Sequence, residues 1–312
     1  MSHKSKITLE KQVQERLKGC LRYGHSKHED KRQGVAEQYI YSISTAKAYS
    51  KHCLYFVEWS KQNPAIRETL GHKPRTLEEI KPFVSDWIRE REQKGLSAYT
   101  LKLEVSALGK LYGEKLEVQT KGTRRADITR SRGAAERDKH FSETANGELI
   151  NFCRCVGCRR SELAKMKAED FRVMEDGRPG IWIRGKGGRE RIAPIIGTPD
   201  EVARALAFLN GLNGKNRVHS GADIHGFRAD YAKRVYKLYE RPLDQLRGRT
   251  IDYTAITGKV GKDGKPIKRS ALYICRGDQE GTVFDRAAML QASKALGHNR
   301  ESVVGEHYLY GL

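Results

Sequence analysis

Four stretches of this sequence carry side chains that could act together on a phosphate ester. Gly157-Cys-Arg-Arg-Ser-Glu-Leu163 puts two guanidiniums and a carboxylate within a helical turn. Lys186 stands in Gly185-Lys-Gly-Gly188, a glycine-rich turn between two runs of alternating hydrophobicity. His225-Gly-Phe-Arg228 opens a helical stretch, and Leu296-Gly-His298 is soon followed by His307-Tyr308. Guanidiniums stay charged at any working pH and grip phosphate oxygens bidentately. Imidazoles move protons near neutrality. A phenol, with an ordinary pKa near ~10, becomes a nucleophile when a base or a positive field assists it. Singly, each stretch also has a plainer reading: a surface Arg-Arg pair, a solvated turn lysine, a tyrosine that packs.

The elements that must hold these residues can be read from periodicity. Residues 143–168 are expected to be helical, with Leu149, Ile150, Phe152 and Val156 inward. Residues 181–195 switch to period two around the Gly185–Gly188 turn and predict a β-hairpin. Helices are expected over Val202–Leu212, Arg228–Tyr239 and Arg286–Leu296. A second hairpin is expected over Ile256–Ala271, turning at Lys262-Asp-Gly-Lys265. Upstream, Leu9, Val13, Leu17 and Leu21 recur every four residues. Tyr49, Cys53, Phe56 and Val57 mark another helix face. Thr76-Leu-Glu-Glu79 is a capping box ahead of an apolar stripe from Ile80 to Ile88, and Ser97 can cap a further helix. The fold class is therefore mainly α with small β-hairpins or sheet (α+β). Residues 1–118 form a helical domain, with 1–35 as a candidate extra segment, and 141–312 form a second domain. Between them, 119–140 is a basic linker. Its Arg124, Arg125, Arg130 and Arg132 are candidates to lie along phosphates.

Charge points the same way. The chain has 312 residues, with 59 Lys and Arg against 39 Asp and Glu, a net charge of +20. The excess is +7 over 1–120 and +13 over 121–312, so both halves are suited to a polyanion. Three of the six cysteines crowd into Cys153-Arg-Cys-Val-Gly-Cys158. This is not the spacing of a zinc knuckle, and on one helix the three would diverge; no metal site is expected. No apolar run is long enough to span a bilayer. A cytoplasmic protein, nucleoid-associated when acting, is expected.

Taken together and in order, the boxes resemble the tyrosine recombinases. That family shows Gly-x-Arg-x-Ser-Glu-Leu, a hairpin lysine in Gly-Lys-Gly, His-x-x-Arg, Leu-Gly-His and then a tyrosine, and all five appear over residues 157–308. The resemblance implies a helical core-binding domain ahead of a catalytic domain, closed as a clamp on double-stranded DNA. It implies that Arg159 and Arg228 clamp the scissile phosphate and that His298 hydrogen-bonds it. His225 would assist removal of the phenol proton, Lys186 would protonate the departing 5′ oxygen, and Glu162 would support the pocket. Tyr308 would form a 3′-phosphotyrosine. Arg160 falls at the family's variable position. The bond energy stays in the phosphotyrosine, so no cofactor, ATP or metal is called for. In keeping with this, no Gly-x4-Gly-Lys-Ser/Thr loop and no acidic cluster for paired magnesium ions occurs. A homotetramer on two specific DNA sites, serving a mobile genetic element, is the implied assembly.

Three departures qualify the match. His307 occupies the family's usual offset from His298 and Tyr308 lies one later, so Tyr310 is a rival nucleophile. His225 and His298 are 73 residues apart, which marks an insertion at about 243–282. The sequence runs only four residues past Tyr308, leaving no C-terminal helix to exchange between subunits, and the insertion is expected to make that contact instead. A chromosome-dimer resolvase or a type IB topoisomerase-like enzyme would use the same chemistry. A DNA-binding regulator without activity would keep the fold but not need all six residues.

Overall fold

The computed structural model describes residues 7–123, 141–185, 188–298 and 300–312. Lys186, Arg124, Arg125, Arg130 and Arg132 lie outside the described residues. The chain divides into two compact units, Met1–Asp127 and Ile128–Leu312.

The first unit is helical: α1 (Leu9–Gly19), α2 (Lys27–Arg32), α3 (Ile43–Gln62), α4 (Pro64–Leu70), α5 (Leu77–Ile80), α6 (Val84–Gln93) and α7 (Ala98–Tyr112). Side-chain caps start most of them. Ser42 accepts from Thr45 N at 3.1 Å and Ser97 from Thr100 N at 3.2 Å. Thr76 and Glu79 form the expected reciprocal box. Leu9, Val13, Leu17, Cys53, Phe56, Val57, Trp87, Ile88 and Leu108 are buried together as one core. Leu21 falls beyond α1 and is exposed. The stripe from Ile80 to Ile88 is not one helix. Pro82 has no N–H to donate, and the chain passes through a 3-10 turn, Lys81–Phe83, between α5 and α6.

The second unit begins with α8 (Gly147–Val156) and α9 (Arg160–Leu163). The single helix expected over 143–168 is broken at Gly157, whose φ is +63°. A Cβ there would stand 2.0 Å from the Tyr231 ring, so no other residue fits. Cys158 lies past the break rather than on the helix. The expected divergence of the cysteines is corrected: the Cys153 and Cys158 thiols are hydrogen-bonded, which with burial pushes the Cys153 thiol well up. Among the described residues no group of three His, Cys, Asp or Glu side chains could hold a metal ion.

Next come β1 (Phe171–Val173), β2 (Pro179–Arg184) and β3 (Glu190–Pro194), an antiparallel sheet in that order. Ile181 pairs with Ala193 and Trp182 with Ile192. Period two puts Ile181, Ile183 and Ala193 inward, against α8 and α10 (Pro199–Asn210). The long helix α11 (Ile224–Tyr239) runs from this core into a second one. That second core is completed by α13 (Arg286–Ala295) and α14 (Glu301–His307).

Between α11 and α13, the second hairpin differs from expectation. Its turn is placed correctly, with Gly261 N donating to Lys265 O at 2.8 Å. The strands are β4 (Thr250–Asp252) and β5 (Lys268–Ser270), and a short helix, α12 (Tyr253–Thr257), occupies the region read as the first strand. Asp252 starts that helix by accepting from Ala255 N at 2.8 Å. A further ribbon pairs β6 (Leu272–Ile274) with β7 (Val283–Asp285). No helix among the described residues is long and apolar enough to cross a membrane.

Candidate active site

Arg228 lies in the second turn of α11, with Asp223 capping that helix through Gly226 N at 3.1 Å. Its side chain is 0% exposed. A buried guanidinium must spend its five donors. Here it donates to the carbonyls of Gly157 and Leu296, and its Nε reaches the Tyr308 hydroxyl at 3.3 Å. The break at Gly157 thus has a chemical use, since it turns a carbonyl toward Arg228. The Leu296 carbonyl comes from the Leu-Gly-His turn that ends α13. Three boxes far apart in sequence meet on one guanidinium.

Arg159 sits at the entry to α9. It donates to Glu162 Oε1 at 2.6 Å, and its backbone N–H donates to Glu162 Oε2 at 2.8 Å. Arg191, from β3, donates to both Glu162 oxygens at 2.9 and 3.2 Å, and to Ala295 O at 2.9 Å. Burial alone would raise the Glu162 carboxyl. The hydrogen bonds and charge of Arg191, with those of Arg159, overcome it and lower the pKa to about 2. Glu162 is therefore ionised at neutral pH and fixes two arginines beside a cleft of about 210 Å³. Arg159, Gly185, Arg189, Arg191, Gly297 and His298 line that cleft. Gly297, at φ +70°, leaves room for the Arg191 guanidinium, 2.9 Å from where its Cβ would be.

His298 presents Nε2 to the Tyr308 hydroxyl at 3.3 Å. Burial lowers its pKa, the charges of Arg228, Arg159 and Arg191 lower it further, and it comes to about 4. At neutral pH the ring is uncharged, so Nε2 can accept a hydrogen bond from the phenol. His225 opens α11 and is exposed. Its pKa is lowered by loss of hydration and by the charge of Arg228, and no hydrogen bond among the described residues joins it to Tyr308. Of the two box histidines, His298 is the one hydrogen-bonded to the phenol. Tyr308 ends α14, half-buried, with its ring centroid 5.6 Å from the Arg228 guanidinium carbon. Tyr310, also half-buried, follows it; the bonds to Arg228 and His298 go to Tyr308.

Two positioning residues were not evident in the sequence. Arg191 reads as one more base on a hairpin. Arg160, at the variable position of its box, donates to the carbonyls of Val218, His219, Ser220 and Ala222 at 2.6–3.2 Å. It pins the segment that leads into α11, and so acts behind His225 and Arg228 rather than in the cleft.

The His298 pKa gives a direct expectation. In the free protein the ring titrates near pH 4, well below the ~6.5 of an ordinary histidine. A histidine NMR titration checks this, and a midpoint near ~6.5 contradicts it. Because folding depresses this pKa, the unfolded chain binds the additional proton first. This group therefore lowers folding stability as pH falls from ~6.5 toward the folded value, and has no such effect above that window.

No family model matches the chain, and no curated protein does. Solved structures similar to it include the XerH site-specific recombinase bound to palindromic difH substrate in a post-cleavage complex. The TM-score is 0.49, with 13% identity over 99% of this chain and 94% of that chain. Another is the Tn1549 transposon integrase in complex with circular intermediate DNA, at TM-score 0.42 and 10% identity over 98% and 96% of the two chains. The XerA recombinase aligns at TM-score 0.25 and 13% identity over 95% and 93%.

Proposed function

We propose that this chain is a site-specific DNA strand-exchange enzyme that works through a 3′-phosphotyrosine. One observation carries the reading: the Tyr308 hydroxyl is hydrogen-bonded at once to the buried Arg228 and to the uncharged His298. A packing tyrosine has no need of a proton acceptor on one side and a fixed cation on the other.

In the proposed reaction the Tyr308 oxygen attacks a phosphorus atom held by Arg159 at the cleft. The phenol proton passes to His298 Nε2. The new bond is tyrosine oxygen to phosphorus, the bond broken is phosphorus to the 5′ oxygen, and Lys186 is the candidate to protonate that oxygen. Attack by a 5′ hydroxyl of a second strand reverses the step and exchanges strands. Charge growing on the non-bridging oxygens is met by donors already in place, the most effective form of stabilisation for such a step. In this reading His225, exposed at the start of the helix that carries Arg228, contacts DNA phosphate, and His298 takes the proton-accepting role first expected of His225. The net charge of +20 suits a duplex partner. Assembly as a homotetramer on two sites, in the cytoplasm and for a mobile element, belongs to the same proposal.

The test uses duplexes selected from a random pool for binding to the protein, then nicked so that the short 5′-hydroxyl fragment is lost after cleavage. An enzyme of this kind leaves an adduct that survives denaturing detergent, with or without EDTA. DNA that is retarded on a gel but never joined to protein refutes the reading and leaves a binding regulator. Joining of two separate duplexes, as against relaxation of one supercoiled circle, separates a recombinase from a topoisomerase.

A further inference from the structure

The helix that carries Tyr308 is short. α14 has seven residues, too few to hold its own shape or place in water. Something else must fix where its end points. The segment 243–282 supplies the contacts. It has a small core of its own, in which Leu246, Ile251, Tyr253 and Ala271 pack against Leu290 of α13. From that base it reaches α14 at two levels. At the first residue, Tyr253 donates to Glu301 Oε2 at 3.0 Å and Arg269 to Oε1 at 3.2 Å. Arg286, at the start of α13, adds a bond to Oε1 at 2.8 Å. The Glu301 residue is 4% exposed. One turn on, Gln279 donates to the Gly305 carbonyl at 2.8 Å. The Cys275 sulfur and the Tyr273 ring each stand 3.5 Å from where a Gly305 side chain would begin.

We propose that residues 243–282 brace α14 and thereby position the Tyr308 hydroxyl, with the buried Glu301 carboxylate as the anchor. The proposal rests on Tyr308 being the nucleophile. Seven residues at a helical rise place Tyr308 about 10 Å from the anchor. A slide of about 1 Å along that path breaks both 3.3 Å bonds to the phenol, and misplacement on that scale costs about 100-fold in rate. Glu301 is a positioning residue, not a catalytic one. The sequence suggested that this insertion would contact a neighbouring subunit. Within the chain, Tyr253, Arg269 and Gln279 turn onto α14.

Three variants test the brace in the full-length protein: Glu301→Gln, Arg269→Gln and Tyr253→Phe. Single-turnover adduct formation on the nicked duplex is expected to fall about 10- to 100-fold in the first and several-fold in the others. The Kd for DNA is expected to change less than about twofold in Glu301→Gln and Tyr253→Phe, because both side chains are buried. A wild-type adduct rate in Glu301→Gln overturns the proposal. If that variant does not fold, wild-type rates in both Arg269→Gln and Tyr253→Phe overturn it. Rate and affinity falling together by the same factor also overturn it, since that marks general loss of structure. Hydrogen exchange over 301–308 without DNA separates this idea from the one beneath it. If the wild-type protein forms no adduct, the nucleophile reading fails, whereas faster exchange confined to α14 in the variants still supports the brace.

Discussion

In Tyr308→Phe, adduct formation on nicked DNA is expected to fall by at least about 10⁴-fold, while DNA affinity stays within about twofold. The substitution removes only the phenol oxygen, the attacking atom of the proposed reaction. The ring keeps its place against the core that includes Val304, Leu309 and Tyr236. The lost hydrogen bonds are long, 3.3 Å each, so folding should change by less than about 1 kcal/mol. Tyr310→Phe is the control. It should leave adduct formation near wild type, because the bonds to Arg228 and His298 belong to Tyr308. A wild-type yield from Tyr308→Phe, with loss in Tyr310→Phe, would move the nucleophile two residues along. Peptide mapping of the adduct gives an independent answer.

Arg228→Ala is expected to act on both rate and stability. Loss of one charge-stabilising donor costs about 10²–10³ in rate. The same change leaves the Gly157 and Leu296 carbonyls without their donor in a buried setting. Removing the partner of a buried polar group costs about 1–3 kcal/mol, so the melting temperature should drop by several degrees. Arg228→Lys should recover little of either, since one ammonium cannot span two carbonyls and a phenol in the geometry of a planar fork. Adduct kinetics together with thermal melts decide this. A normal rate in Arg228→Ala would sink the assignment, and a normal melting temperature would show that the two carbonyl bonds are not needed for folding.

Much of this site was legible because its residues come in short boxes. Arg159 and Glu162 lie three apart, and one turn of helix puts the carboxylate back on the backbone of the arginine. His225 and Arg228 read correctly as the opening of a helix. What could not be read was the link between boxes. Arg191 is one base among many on a basic chain, and only the fold shows it threading from Glu162 to the Ala295 carbonyl. Gly157 was hidden because the residues on both sides keep helical character, so the break shows only where Tyr231 fills the space. β1 is three exposed residues and carries no alternating pattern. α14 has no side-chain cap at Arg300 and contains a glycine, so it owes its place to neighbours rather than to its own sequence. The long spacing between His225 and His298 marks the segment 243–282, but the bonds that join it to α14 are a tertiary property that spacing does not carry.

The burial of Arg228, with no exposed surface, has a consequence for where the order of the site resides. Its donors go to the Gly157 and Leu296 carbonyls and to the Tyr308 hydroxyl, so the phenol is held by the chain's own backbone turns through a single guanidinium. The alignment of the hydroxyl is thus a property of folding: whatever loosens the turn at Gly157 or the turn at Leu296 loosens the phenol with it, without touching a residue of the cleft.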